Sequence, residues 1–218
     1  MVLIIKIIKR LTAVALVPVL AAALCAGRAY ALDQPAVSAK SAVVLCRGYT
    51  LFEKNADVKM PMASTTKLMT AIIAIESCPQ DERVEIKPEY CNIEGSSMYL
   101  IPGESYSVKE LVEGLLLVSG NDAATALACH VAGSTERFAA LMNEKAARLG
   151  MSNTHFVNPH GLSENGHYST ARDMARLMEY CMEDPAFAEI DAMKSCTAGG
   201  RLLVNHNRLL DLCPGCVG

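Results

Sequence analysis

The stretch that most limits what this chain can fold into is KLMTAIIAIES, residues 67–77. Leu68, Met69, Ile72, Ile73 and Ile75 put apolar side chains on nearly every side of a helix. A helix of that kind is buried, so the rest of the chain has to wrap it. Cys78-Pro79-Gln80 ends it. Ala63-Ser64-Thr65-Thr66 precedes it, and Lys67 falls one helical turn after Ser64. Two readings fit a lysine in that place. Ser64 or Thr65 caps the helix while Lys67 points outward, or the lysine serves the serine.

A length of 218 residues suits one domain of ordinary size. Half of the residues are hydrophobic (51%) and 20% are charged, a globular balance without a low-complexity tract, an internal repeat or a linker. A net charge of -3 and the absence of a basic stripe argue against a nucleic-acid partner.

The N-terminus reads as a secretory signal peptide, residues 1–31. Lys6, Lys9 and Arg10 precede an uncharged apolar run from Leu11 to Ala26, and Ala29-Tyr30-Ala31 supplies an A-x-A cleavage pattern. A retained membrane anchor is the alternative. Leu24 before Cys25 argues against a lipoprotein, where a small residue is expected. The exported part, residues 32–218, has 16 basic against 23 acidic residues. The expected location is outside the cytoplasmic membrane.

Eight cysteines remain after Cys25: Cys46, Cys78, Cys91, Cys129, Cys181, Cys196, Cys213 and Cys216. An even number in an exported protein permits disulfides without fixing any pairing. Cys129 lies in an apolar helical pattern, where cysteine behaves as a small hydrophobe. Cys213-Pro214-Gly215-Cys216 has C-x-x-C spacing but no second pair, so it reads as a turn. No metal or other cofactor is expected.

AKSAVVLC and YTLFEK read as a hairpin turning near Arg47-Gly48. RVEIKPEYCNIEGSSMYLIPGESYSV is strand-like and rich in turn residues. SVKELVEGLLLVS starts a helix with Ser107 and Glu110 at capping-box spacing. DAATALACHVAG, STERFAALMNEKAARLG, STARDMARLMEYCMED and PAFAEIDAM are further helices, with Ser134 or Thr135 capping the second and Thr170 and Asp173 at cap spacing in the third. CTAGGRLLVNHNRLL is a strand or turn leading into a connection.

A serine and a lysine at i and i+3 share one helix face. Burial lowers a lysine pKa, so Lys67 could accept a proton from Ser64. The Ser64 N–H, at a helix N-terminus, could donate to an oxyanion. S-x-x-K alone leaves the choice between cap and nucleophile open. Ser119-Gly120-Asn121, between two helices, reads on its own as an ordinary turn. No G-x-S-x-G elbow, H-E-x-x-H helix or phosphate-binding glycine loop occurs. Of His130, His155, His160, His167 and His206, the pair His155 and His160 lies in a polar loop where structural hydrogen bonds are the expected use.

ASTTKLMTA at 63–71 and LLLVSGNDAA at 115–124 together resemble the first two motifs of the penicillin-binding serine acyltransferases, most closely the D-alanyl-D-alanine carboxypeptidases. LFEKNADVKMPMASTTKLMTA and HFVNPHGLSENGHYSTARDMARLM are similar to that family's stretches in the same order, and the resemblance covers residues 40–218. It implies an α/β fold of the β-lactamase/transpeptidase-like type, a helical cluster with an antiparallel sheet incomplete in this chain. It implies Ser64 as acylated nucleophile and Lys67 as general base. Ser119 would relay a proton to the leaving D-alanine, and Asn121 would bind the substrate's peptide amide and steady Lys67. The substrate would be a peptidoglycan stem peptide, with β-lactams as inhibitors. A class A β-lactamase is disfavoured: the second motif is S-G-N rather than S-D-N, and no E-x-x-L-N segment follows Ser119.

The family's third motif, K-T-G, does not occur in the 218 residues. The chain is therefore expected to be a fragment of a longer enzyme, or else a short form that folds poorly and only binds wall peptides or β-lactams. Alone it is expected to acylate negligibly, because one lost oxyanion donor costs about 10²–10³ in rate. Membrane association is expected only through residues absent from it.

Overall fold

The computed structural model describes residues 36–218, so the expected signal peptide and its alternative lie outside the described residues. The chain divides into Met1–Ser38 and a compact unit, Ala39–Gly218, which holds all the helices and strands of the described residues.

The greasy stretch is a helix, α1 (Lys67–Ser77), and it is central. Met69, Ala71, Ile72 and Ala74 are wholly buried. Around it pack α2 (Val108–Leu117), α3 (Asn121–Ala132), α4 (Thr135–Arg148), α5 (Ala171–Met182) and α6 (Pro185–Asp191). Leu111, Leu115, Leu127, Phe138 and Phe187 are fully buried in the same core. Each contributes about 1.5–3 kcal/mol relative to exposure.

The helix starts follow local chemistry. Ser107 Oγ accepts from Glu110 N at 3.1 Å while Glu110 Oε2 accepts from Ser107 N at 2.7 Å, a full capping box. Ser134, not Thr135, caps α4 through Arg137 N. Thr170 caps α5 through Asp173 N at 3.1 Å. At α1 neither Ser64 nor Thr65 acts as a cap. A 3-10 turn, Ala63–Thr66, runs directly into the helix without a side-chain cap, and Thr65 Oγ1 donates backwards to the Met62 carbonyl. The capping reading of Ser64 therefore fails.

The expected hairpin is present: β1 (Ala42–Cys46) pairs antiparallel with β2 (Tyr49–Lys54) through a turn at Arg47-Gly48, with a bulge at Val44/Leu45. The stretch after α1 is less regular than its composition implies. Only β3 (Arg83–Glu85) and β4 (Ser105–Ser107) pair, with loops and a short 3-10 turn between them. A second hairpin, β5 (Ser195–Ala198) with β6 (Arg201–Val204), turns at Gly199-Gly200. The single antiparallel sheet expected from the resemblance is, in the described residues, three separate two-stranded ladders. The β1–β2 and β5–β6 hairpins leave Val44, Tyr49, Leu51, Leu202 and Val204 exposed. A short α7 (Leu209–Leu212) leads to the Cys213–Cys216 turn, closed by Cys216 N donating to the Cys213 carbonyl. All eight cysteines among the described residues are free thiols.

Candidate active site

The 3-10 turn places Ser64 beside Lys67. Lys67 is only 2% exposed, and its Nζ lies 3.2 Å from Ser64 Oγ. A second bond runs from Lys67 Nζ to the backbone carbonyl of His160 at 2.7 Å. Burial pushes the Lys67 pKa down from 10.5 to about 8, and the charge of Asp122 pulls weakly the other way. An amine with that pKa donates when charged and, once neutral, takes a proton from the hydroxyl it touches.

The loop that supplies the His160 carbonyl is itself tied down. Asn158 is buried; its Oδ1 accepts from Gly161 N at 2.8 Å and its Nδ2 donates to the Leu162 carbonyl at 2.9 Å. Thr70 Oγ1 donates to the Pro159 carbonyl at 2.6 Å, so helix α1 grips the loop directly. Thr66 Oγ1 meets His167 Nε2 at 2.8 Å, and His167 Nδ1 accepts from Val157 N at 3.0 Å. Nδ1 therefore lacks a proton, and neutral His167 donates through Nε2. Burial lowers the His167 pKa, which keeps the ring neutral, and the Val157 N–H fixes the tautomer. At Gly161 the backbone lies in the left-handed region, φ +93°, and a Cβ would overlap the Ala63 carbonyl. His155 and His160 make the structural bonds expected of them: His155 Nδ1 to the Gly166 carbonyl, and Leu162 N to His160 Nδ1.

Ser119 faces the same space. A cavity of about 290 Å³ is lined by Ser64, Lys67, Leu115, Leu116, Ser119 and Asp191. Ser119 Oγ is buried and has no hydrogen-bond partner among the described residues. Both flanking positions are strained: Ala63, just before Ser64, has φ +47°, and Ser119 has φ +58°. Left-handed backbone at non-glycine residues costs about 1–3 kcal/mol and gathers at functional sites. The ordinary-turn reading of 119–121 does not explain a buried, unpartnered hydroxyl.

Asn121 departs from the expectation. It is buried at the start of α3, with its N–H on the Ser96 carbonyl and its Nδ2 on the Glu94 carbonyl. Its expected contact with Lys67 is not among the hydrogen bonds of the described residues; the His160 carbonyl holds the amine instead. The reason is packing: the 94–100 segment folds over the N-terminus of α3 and claims its side chains.

Three groups escape the sequence reading. Asp122 is 1% exposed and accepts from Met98 N, Leu100 N and Ser97 Oγ, anchoring that segment. Its acidic character in the first turn of a helix is a visible signal. The His160 carbonyl carries none, because a backbone atom has no letter. Asp191, whose carboxyl is pushed up by burial, lines the cavity from the end of α6.

Comparison with known proteins identifies the family. The D-alanyl-D-alanine carboxypeptidase model of peptidase family S11 matches residues 28–212. The chain is 38% identical over 192 residues to the D-alanyl-D-alanine carboxypeptidase DacF of Bacillus subtilis, covering 83% of this chain and 49% of that protein. It is 39% identical over 193 residues to DacC of Escherichia coli, covering 82% and 48%. It thus spans about half the length of these curated relatives. The crystal structure of a D-alanyl-D-alanine carboxypeptidase from Mycobacterium tuberculosis superposes with a TM-score of 0.82 at 34% identity, covering 87% of this chain and 75% of that one. The Streptomyces K15 DD-transpeptidase gives 0.81 at 30%, covering 86% and 80%. The fold is therefore α/β of the transpeptidase-like type, and the chain belongs to the D-alanyl-D-alanine carboxypeptidase family.

Proposed function

We propose that this chain carries the acylation centre of a serine-type D-Ala-D-Ala carboxypeptidase acting on peptidoglycan stem peptides. The observation that carries the reading is the buried Lys67 amine 3.2 Å from Ser64 Oγ. Neutral Lys67 takes the Ser64 proton as Oγ attacks the carbonyl of the penultimate D-alanine. The oxyanion draws on the Ser64 N–H at the leading end of the 3-10 turn, where N–H groups lack helical acceptors. Ser119 passes a proton to the departing D-alanine nitrogen, leaving an ester on Ser64 that water hydrolyses. The resemblance assigns Asn121 to the substrate's peptide amide; here the Glu94 carbonyl holds its Nδ2, so only its Oδ1 is left to meet a substrate. β-Lactams acylate the same hydroxyl; relatives of similar fold are described as penicillin-binding proteins. Residues 1–31 are read as an export signal, which would deliver the domain to the wall.

The test uses the protein expressed from its whole gene. A fluorescent penicillin should label it at Ser64, Ser64→Ala should abolish the label, and a D-Ala-D-Ala peptide should release D-alanine. Labelling that survives Ser64→Ala refutes the assignment. Labelling without D-alanine release would identify a non-catalytic β-lactam or wall-peptide binder on the same fold.

A further inference from the structure

We propose that Cys78, Glu82 and His130 form a binding site for one divalent cation of the zinc type, placed where the far ends of α1 and α3 meet. The thiol sulfur, a carboxylate oxygen and an imidazole nitrogen of these residues all lie within 4.8 Å of one another. His130 Nε2 is already 3.1 Å from Glu82 Oε1. A tetrahedral zinc site with bonds of ~2.0–2.3 Å sets its ligand atoms about 3.3–3.8 Å apart. The His–Glu edge thus has nearly the required length, and the sulfur, within 4.8 Å of both atoms, needs to close by at most about 1.3 Å, within reach of a side-chain rotation.

The backbone is set for this. Cys78 is the C-cap of α1, with its N–H on the Ala74 carbonyl. Glu82 N donates to the Pro79 carbonyl, and the resulting turn brings Glu82 back beside Cys78. The turn is fastened to the start of α2: Val108 N donates to the Glu82 carbonyl and Lys109 N to the Gln80 carbonyl, both at 2.9 Å. His130 lies in the last turn of α3.

Charge and ligand type narrow the occupant. One sulfur, one nitrogen and one oxygen suit zinc-like ions rather than calcium or magnesium, which take oxygen. A thiolate and a carboxylate neutralise a divalent ion. Two helix C-termini, the negative ends of their macrodipoles, point at the position. On binding, the Cys78 S–H bond breaks, the metal–sulfur bond forms and that proton leaves to solvent; the proton His130 Nε2 holds toward Glu82 leaves to solvent or passes through it to Nδ1, freeing the Nε2 lone pair for the metal, and water takes the fourth position. The ion would join the ends of α1 and α3 opposite those that present Lys67 and Asn121, and so stiffen the pair. This holds whether or not the acylation reading stands.

Cobalt(II), a coloured stand-in for zinc, tests it on the reduced full chain carrying Cys213→Ser and Cys216→Ser, so that the C-x-x-C turn contributes no signal. We expect one cobalt per chain and a sulfur-to-cobalt charge-transfer band that Cys78→Ser abolishes and Cys129→Ser leaves intact. Glu82→Gln, at an exposed position that tolerates change, and His130→Ala should each weaken binding by about tenfold or more. Zinc should raise the melting temperature of the parent and not that of Cys78→Ser. No saturable cobalt binding, or a band that survives Cys78→Ser, overturns the site.

Discussion

Lys67 Nζ donates to the carbonyl of His160, 93 positions along the chain, at 2.7 Å. That bond fixes an amine buried in the core so that its remaining reach is toward Ser64. It also explains why the 158–162 loop is braced by Asn158 and by the hydroxyl of Thr70. The proposed acylation chemistry depends on this brace.

Lys67→Met should separate activity from stability. Loss of the proton acceptor should slow penicillin acylation by about 10²–10⁴. Stability should move the other way. The folded pKa of about 8 lies below the ordinary 10.5, so the unfolded chain binds the extra proton between those values. Burying the charged amine costs stability in full below pH 8, and the cost fades as pH rises to 10.5. Lys67→Met should therefore be more stable than the parent at neutral pH by about 1–2 kcal/mol, after the loss of two hydrogen bonds. Denaturant unfolding of both proteins, near neutrality and again at high pH, checks the sign: the gap should shrink as pH rises.

Ser119→Gly should also split the two properties. Glycine relieves the φ +58° strain, by about 1 kcal/mol. It removes the unpartnered hydroxyl from the cavity as well. Thermal melts should show a gain and D-alanine release a loss; equal loss in both would show that Ser119 is structural.

Gly161→Ala puts a methyl group into the Ala63 carbonyl. The loop must retreat, taking the His160 carbonyl from Lys67. Acylation should fall at least about tenfold, with a stability loss of about 1–3 kcal/mol, measured by labelling kinetics and melting.

Asp122→Asn places an amide where Leu100 N and Ser97 Oγ now donate. The unmet groups should cost about 1–3 kcal/mol. Because the Asp122 charge holds the Lys67 pKa up, the same change should move the acylation limb to lower pH. A limb that stays in place, measured in stopped-flow, would show that the two groups are uncoupled.

Much of this arrangement is local, and so is legible in the sequence. The Ser107–Glu110 box, the Ser134 and Thr170 caps and the Ser64–Lys67 pair all join residues three apart, a separation that letters reveal. The stretch between β3 and β4 is not legible because its conformation is imposed from afar: the Asp122 carboxylate takes Met98 N and Leu100 N, leaving short strands only at its ends. The resemblance assigns Asn121 to Lys67, yet its amide is spent on Glu94, a partner 27 residues away. The His160 carbonyl is invisible because any residue there would supply it.

The central claim is that the Lys67 amine, its pKa lowered by burial to about 8, deprotonates Ser64 in its neutral form. Its most direct test is the rate of Ser64 acylation by a penicillin from about pH 6 to about pH 10 in the protein expressed from its whole gene. The rate should climb tenfold per pH unit at the acid end, bend near pH 8 and level off above it. A rate that is flat across that range, or that Lys67→Met leaves unchanged, would contradict it.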